Sequence, residues 1–171
     1  AQRNYVRPVV LELGGKNPAI LNDASDLEKV LDQILLAAFA VCGQRCTAVS
    51  RVIVHRDIEE AVVSGLAARA AAMEPMDGMI EGAKIGPLAS AQQLEDVAEF
   101  VSRAVSDGAV IAAGGHRLES PGDGYFYAPT ILRGVTRDME IARQEVFGPV
   151  LSLIAYDTVD EALSIANDTA F

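Results

Sequence analysis

Apolar segments of strand length alternate with amphipathic helical segments along the whole chain, and this alternation most constrains its fold. The predicted strands cover residues 9–13, 18–21, 51–55, 110–113, 125–132 and 149–156. The predicted helices cover residues 27–42, 57–73, 90–107 and 159–167. Because predicted strands and helices alternate along the chain, the sequence predicts an α/β fold with a largely parallel sheet flanked by helices.

Size and charge limit the possible partners. A chain of 171 residues predicts one domain with a buried core. Its 24 acidic and 14 basic residues give a net charge of −10, so we expect neither nucleic acid nor an anionic membrane surface as a partner. The longest apolar run, 34–42, is far shorter than the roughly 20 residues of a transmembrane helix. Two cysteines make no disulfide framework, and we expect a cytoplasmic location.

Cys46 is the candidate nucleophile. It follows the end of a predicted helix, and the turn there, with the cation of Arg45 beside it, would lower the pKa of the thiol. The alternative is that Cys46, like Cys42, is a small buried apolar residue. A metal site at the two cysteines would need two more ligands. Because neither His55 nor His116 has a zinc-ligand spacing, we predict no metal.

Two carboxylates are candidates for chemistry. Glu12 lies within the predicted strand 9–13, whose apolar residues fill both faces, so its carboxylate would face a cleft or the interior. Desolvation there would raise its pKa toward the range of a general base. The alternative is a solvent-facing strand residue. Glu145 precedes the strand 149–156 and is either a turn residue or an acceptor for paired hydroxyls, such as a ribose diol.

Five segments resemble those of the NAD(P)-dependent aldehyde dehydrogenase superfamily. Residues 11–18 (LELGGKNP) resemble its glutamate signature, and residues 43–48 (GQRCTA) resemble its cysteine signature. Residues 145–149 (EVFGP) are similar to its cofactor-contact motif. Segments 85–88 (IGPL) and 124–130 (GYFYAPT) resemble two further family segments. The matches follow the family order, which implies the aldehyde dehydrogenase catalytic-domain fold.

The resemblance implies a role for each matched residue. Cys46 would attack an aldehyde carbonyl to give a thiohemiacetal, and hydride loss to NAD or NADP would give a thioester. Glu12 would activate the water that hydrolyses the thioester. The backbone N–H of Cys46 would supply half of an oxyanion hole. Glu145 would hold the nicotinamide-ribose hydroxyls, Phe147 would pack near the nicotinamide, and the Leu13 backbone would face it.

The resemblance also implies that residues 1–171 are the cysteine-bearing catalytic domain of a longer enzyme. We expect a Rossmann-type cofactor domain before this segment and a further segment after it, both absent from the chain. The chain alone would then bind NAD or NADP weakly and have little dehydrogenase activity. The parent would be a homo-oligomer acting on a small-molecule aldehyde. Two other functions stay open: a non-catalytic folding or assembly module, and a cofactor-independent thiol esterase.

Overall fold

A single mixed sheet organises the molecule. The computed structural model describes residues 8–119 and 124–171, which form a sheet of five strands. These are β1 (Asn17–Leu21), β2 (Val49–His55), β3 (Val110–Ala113), β4 (Thr130–Arg133) and β5 (Val150–Tyr156). Their order is β1-β2-β5-β4-β3; all neighbours are parallel except β3, which runs antiparallel to β4 at one edge. The predicted α/β fold is confirmed.

The described residues include five α-helices, of which four lie between strands in the chain and the fifth follows β5. They are α1 (Leu27–Phe39), α2 (Glu59–Ala71), α3 (Ala91–Ser106), α4 (Glu140–Arg143) and α5 (Val159–Asn167). Side-chain caps begin α3 and α5, where the hydroxyls of Ser90 and Thr158 accept backbone N–H groups. The sequence did not predict α4, because four residues are too few to show a helical period. Within the described ranges, no helix has the length and apolar character needed to cross a bilayer.

The central strands carry the core. β2 and β5 are apolar along most of their length, as expected for parallel strands that are covered on both faces. Val52 and Ile53 of β2 and Leu153 of β5 are completely buried. α1 and α2 pack against each other, and α5 packs against β1, β2 and β5. Segments that flank these central strands are therefore held on a rigid support.

The predicted strand 9–13 does not form, and this prediction was wrong. Residues 8–16 are irregular, and the side chains of Val9, Val10, Leu11 and Leu13 are 70–82% exposed. A strand needs a hydrogen-bonded neighbour, and the described part of the chain places none beside this segment. Glu12 is exposed as well, so the burial from which we predicted a raised pKa is absent.

Two other elements are shorter than predicted. The helix predicted over 27–42 ends at Phe39, and a kinked turn over Ala40–Gly43 follows, in which Val41 and Cys42 have non-helical backbone angles. The strand predicted over 125–132 is regular only from Thr130, while Tyr125 and Tyr127 each form an isolated bridge. Pro129, which has no N–H to donate to a ladder, directly precedes the regular strand.

Candidate active site

The backbone shortly before Cys46 has an unusual conformation. Val41, Cys42 and Gly43 all adopt positive φ angles of 55°, 56° and 70°, a conformation that residues with a side chain rarely take. Cys46 lies just beyond, in the turn before β2, and is exposed to solvent. Cys42 is buried instead, and desolvation raises the pKa of its thiol to about 12. Of the two thiols, only that of Cys46 is accessible to a reagent.

Residues 14–15, which we call the glycine turn, pack directly against residues 45–48, the cysteine turn that contains Cys46. A Cβ placed on Gly15 would overlap the backbone oxygen of Cys46, so only glycine fits there. The side-chain amide of Asn17 donates to the carbonyl oxygens of Cys46 (2.7 Å) and Ala48 (3.1 Å). Glu12 lies three residues before Gly15, which places their Cα atoms within about 11 Å of each other. The segments of the two predicted catalytic residues are therefore brought together.

Glu145 meets the same glycine turn from the other side. Its Oε1 accepts a hydrogen bond of 3.1 Å from the backbone N–H of Gly15. A Cβ on Gly14 would overlap Oε2 of Glu145 and the ring of Phe171. The carboxylate of Glu145 thus lies against both glycines, and all three motif segments, although far apart in sequence, occupy one region.

Phe147 and Leu13 are both accessible. Phe147 is 39% exposed and has a φ of 52°, which is strained for a residue with a side chain. Gln93 of α3 donates from its side-chain amide to the carbonyl oxygens of Val146 and Phe147, each at 3.0 Å. α3 therefore fixes the loop that carries Phe147. Leu13 lies on the exposed segment before the glycine turn.

A narrow cleft of about 10 Å³, room for about one water molecule, lies between these segments. Its lining includes Gly15, Arg45, Ser50, Glu145 and Phe147, whereas Cys46 and Glu12 lie outside it. Arg45 turns toward α1 and donates from Nη2 to the carbonyl of Ala37 at 2.9 Å. Nε of Arg45 and Oγ of Ser50 are buried and have no hydrogen-bond partner among the described residues. Polar groups therefore line the cleft between the glycine turn and the loop of Glu145.

Two basic residues next to the glycine turn, Lys16 and Arg51, are buried. Lys16 is only 3% exposed. Desolvation, and secondarily the charge of Arg51, lower the pKa of its ammonium to about 7, partly opposed by Glu145. Arg51 is 1% exposed, and desolvation lowers the pKa of its guanidinium as well. The burial of these two residues was not predicted from the sequence, where Lys16 is typical of a charge at a strand end; the one available signal was a cation within the apolar strand β2. Nowhere in residues 8–119 or 124–171 do three or more metal-ligating side chains cluster.

Comparison with known proteins identifies the family. All of residues 1–171 match the model of the aldehyde dehydrogenase family. The chain belongs to this family. Aminoaldehyde dehydrogenase 1, peroxisomal, of Pisum sativum is 43% identical to this chain over 166 residues, which are 97% of the chain and 33% of that protein. The resemblance predicted from the sequence motifs is therefore confirmed.

Solved structures of the same family match the fold of this chain. Lactaldehyde dehydrogenase from Escherichia coli superposes with a TM-score of 0.87 at 41% identity, over 92% of this chain and 33% of that chain. The NAD+ complex of aldehyde dehydrogenase from Bacillus cereus gives 0.87 at 38% identity, over 93% and 32%. The chain thus spans about one third of the length of the relatives it matches.

Proposed function

We propose that the protein containing this chain oxidises an aldehyde to a carboxylic acid with NAD+ or NADP+ as hydride acceptor. One observation carries the proposal: the glycine turn contacts both the exposed-cysteine turn and Glu145, in a chain that belongs to the aldehyde dehydrogenase family. The relatives named above are an aminoaldehyde and a lactaldehyde dehydrogenase. Because these substrates differ, we propose only the aldehyde class.

Cys46 is the proposed nucleophile. Its thiolate forms a bond to the aldehyde carbon, and the carbonyl electron pair moves to oxygen, giving a tetrahedral thiohemiacetal. Loss of a hydride from that carbon leaves a thioester on Cys46. Exposure of Cys46 supports this role, since a substrate can reach its sulfur, whereas Cys42 is buried and protonated at neutral pH.

Glu12 is the proposed general base for the second half of the reaction. Its carboxylate takes a proton from water, the water oxygen attacks the thioester carbon, and the Cys46 thiolate leaves as the acid is released. The position of Glu12 three residues before the glycine turn supports this role. Its solvent exposure leaves the side chain free to change rotamer between water and thioester.

Glu145, Phe147 and Leu13 are the proposed contacts of the nicotinamide cofactor. When bound, that cofactor supplies the hydride acceptor. The residues present fit the nicotinamide-ribose end of the cofactor. Oε1 of Glu145 accepts a hydrogen bond from the Gly15 N–H, and Oε2 remains to accept one from a ribose hydroxyl. The exposed ring of Phe147 offers an apolar face beside it. The absence of Cβ atoms at Gly14 and Gly15 lets the Glu145 carboxylate and the Cys46 backbone approach the glycine turn closely.

A non-catalytic assembly module is the second candidate. It is favoured by the exposed apolar side chains of Val9, Val10, Leu11 and Leu13, which resemble a surface that another protein segment covers. A cofactor-independent thiol esterase using Cys46 and Glu12 stays a prediction. The homo-oligomeric parent, the cytoplasmic location, and the weak cofactor binding and low activity of the chain alone also stay predictions.

The test uses the longer enzyme that contains this chain, because the chain alone spans a third of its relatives. Cys46→Ser should lower NAD(P)H formation with a panel of aldehydes by at least about a thousandfold, since a hydroxyl is not ionised at neutral pH. Cys42→Ser is the matched control and should leave the rate within a few-fold. Equal rates for Cys46→Ser and the unmodified enzyme would reject Cys46 as the nucleophile, and no NAD(P)H formation by the unmodified enzyme with any aldehyde of the panel would reject the proposed function.

A further inference from the structure

Arg51 makes an uncommon set of contacts for a buried cation. Its Nε and Nη2 donate to the carbonyl oxygen of Lys16 at 3.2 and 2.7 Å. Its Nη1 donates to the carbonyl of Ile165, and Nη2 also donates to that of Ala166, both at 3.0 Å. Among the described residues, no carboxylate forms an ion pair with it. The guanidinium therefore joins two backbone segments, the glycine turn and the carboxyl end of α5.

The same end of α5 is tied to the segment that carries Glu145. Asp168 directly follows α5, and its carboxylate accepts hydrogen bonds from Arg143 at 3.0 and 2.8 Å and from Arg137 at 3.1 and 2.9 Å. Arg143 is the last residue of α4 and lies two positions before Glu145. Nε of Arg143 also donates to the carbonyl of Arg137. The orientation of α4, and with it the start of the Glu145 loop, is thus fixed from α5.

These contacts close into a ring. Starting at the hydrogen bond between Glu145 and Gly15, the ring continues along the backbone to Lys16 and then passes through Arg51, Ala166, Asp168 and Arg143 back to Glu145. The hydrogen bonds of the ring join residues that are far apart in sequence: Arg51 and Ala166 are 115 residues apart, and Arg143 and Asp168 are 25 apart. A planar guanidinium that donates from two nitrogens to one carbonyl fixes that peptide group in position and orientation, which a flexible ammonium does not.

We propose that this ring positions the Glu145 carboxylate on the glycine turn, with Arg51 and Asp168 as its positioning residues. Arg51 holds the carbonyl of Lys16, one residue beyond Gly15, and so restricts the movement of the backbone that carries the Gly15 N–H. Asp168 fixes the loop from which Glu145 reaches that N–H. The inference rests on the proposed function only where it concerns the cofactor; the positioning itself is a property of the folded chain.

Amide hydrogen exchange of the 171-residue chain tests the positioning. Asp168→Asn and Arg51→Lys should each speed exchange at Gly15 by roughly tenfold, as loss of one hydrogen bond predicts, while exchange at Ile53 in β2 stays unchanged. Asp157→Asn is the matched control. It breaks an Arg–Asp pair of the same chemistry, with Arg56, and should leave exchange at Gly15 unchanged.

Unchanged exchange at Gly15 in folded Asp168→Asn would overturn the proposal. If Arg51→Lys does not fold, Asp168→Asn and Arg143→Lys still decide the question, because these two residues are not part of the buried core. In the longer enzyme, the same variants should raise KM for the cofactor more than they lower kcat. If exchange responds but Glu145→Gln leaves that KM unchanged, the positioning stands and the cofactor role of Glu145 fails.

Discussion

The backbone N–H of Gly15 donates to Oε1 of Glu145 across 130 residues of sequence, at a distance of 3.1 Å. Gly15 also lies against the carbonyl of Cys46, with no room for a side chain. One glycine therefore contacts both the cysteine turn and the proposed cofactor-binding carboxylate. The spacing between these two groups depends on its lack of a Cβ.

Substitution of Gly15 should lower the free energy of unfolding of the chain. Gly15→Ala places a methyl group on a backbone carbonyl, which cannot move like the end of a flexible side chain, so we expect a loss of about 3 kcal/mol in the free energy of unfolding. Gly78→Ala is the control: a Cβ there meets nothing within 4 Å, and the change should stay within about 0.5 kcal/mol. Urea denaturation of both variants makes the comparison. Equal losses would show that the close approach at Gly15 is not a constraint.

The two thiols should react very differently with iodoacetamide. Cys46 is exposed, while burial raises the pKa of the Cys42 thiol to about 12, so native protein near neutral pH should gain one label, at Cys46. A second label should appear only after denaturation. Mass spectrometry of the digested protein locates the labels. Similar labelling rates at both positions in the native chain would contradict the assigned burial.

The hydrogen bonds from the side-chain amide of Asn17 should stabilise the cysteine turn. Asn17→Asp keeps the shape of the side chain but replaces its two donated bonds with a charge facing the carbonyls of Cys46 and Ala48. We expect a loss of about 2 kcal/mol and a changed rate of Cys46 alkylation.

Asn22→Asp provides the control for this substitution. Asn22 accepts a hydrogen bond from Tyr156, which an aspartate also accepts. Denaturation and alkylation should therefore change little in this variant. If Asn17→Asp behaves in the same way, the amide contacts do not hold the cysteine turn.

Lys16 should make stability rise with pH above neutrality. Its pKa is about 7 in the folded chain and 10.5 ordinarily, so between these values the unfolded chain holds a proton that the folded chain has lost. The free energy of unfolding should therefore increase by about 1.4 kcal/mol per pH unit from this group. Cys42 opposes the trend above pH 9, since its pKa rises from 9.0 to about 12 on folding. The informative window is therefore pH 7 to 9.

Urea denaturation across that window should give a smaller slope for Lys16→Met than for the unmodified chain. Lys29→Met removes an exposed lysine and should keep the original slope. Identical slopes for the two variants would show that Lys16 keeps its ordinary pKa in the folded chain.

Local signals predicted much of the fold. The boundaries of α5 agree with the predicted range, because Thr158 caps its first turn and apolar residues recur at helical spacing. The failed strand 9–13 has the right composition, but a strand depends on a neighbour that local sequence does not specify. Its apolar side chains are exposed for that reason.

The site was predicted less completely than the fold. The motifs drew attention to Cys46, Glu12 and Glu145, but the contact between Gly15 and Glu145 arises only after the sheet has formed. Arg51 could not be interpreted from the sequence, since its partners are carbonyl groups 35, 114 and 115 residues away along the chain. Backbone carbonyls occur at every position and therefore leave no sequence pattern.

Trapping the covalent intermediate tests the central claim most directly. In the longer enzyme carrying Glu12→Gln, incubation with an aldehyde and the cofactor, followed by acid quench and mass spectrometry, should find the acyl group on the peptide that contains Cys46. The adduct should accumulate because the proposed base for thioester hydrolysis has been removed. An enzyme that turns over the aldehyde while Cys46 stays unmodified, or an acyl group on another residue, would contradict the account.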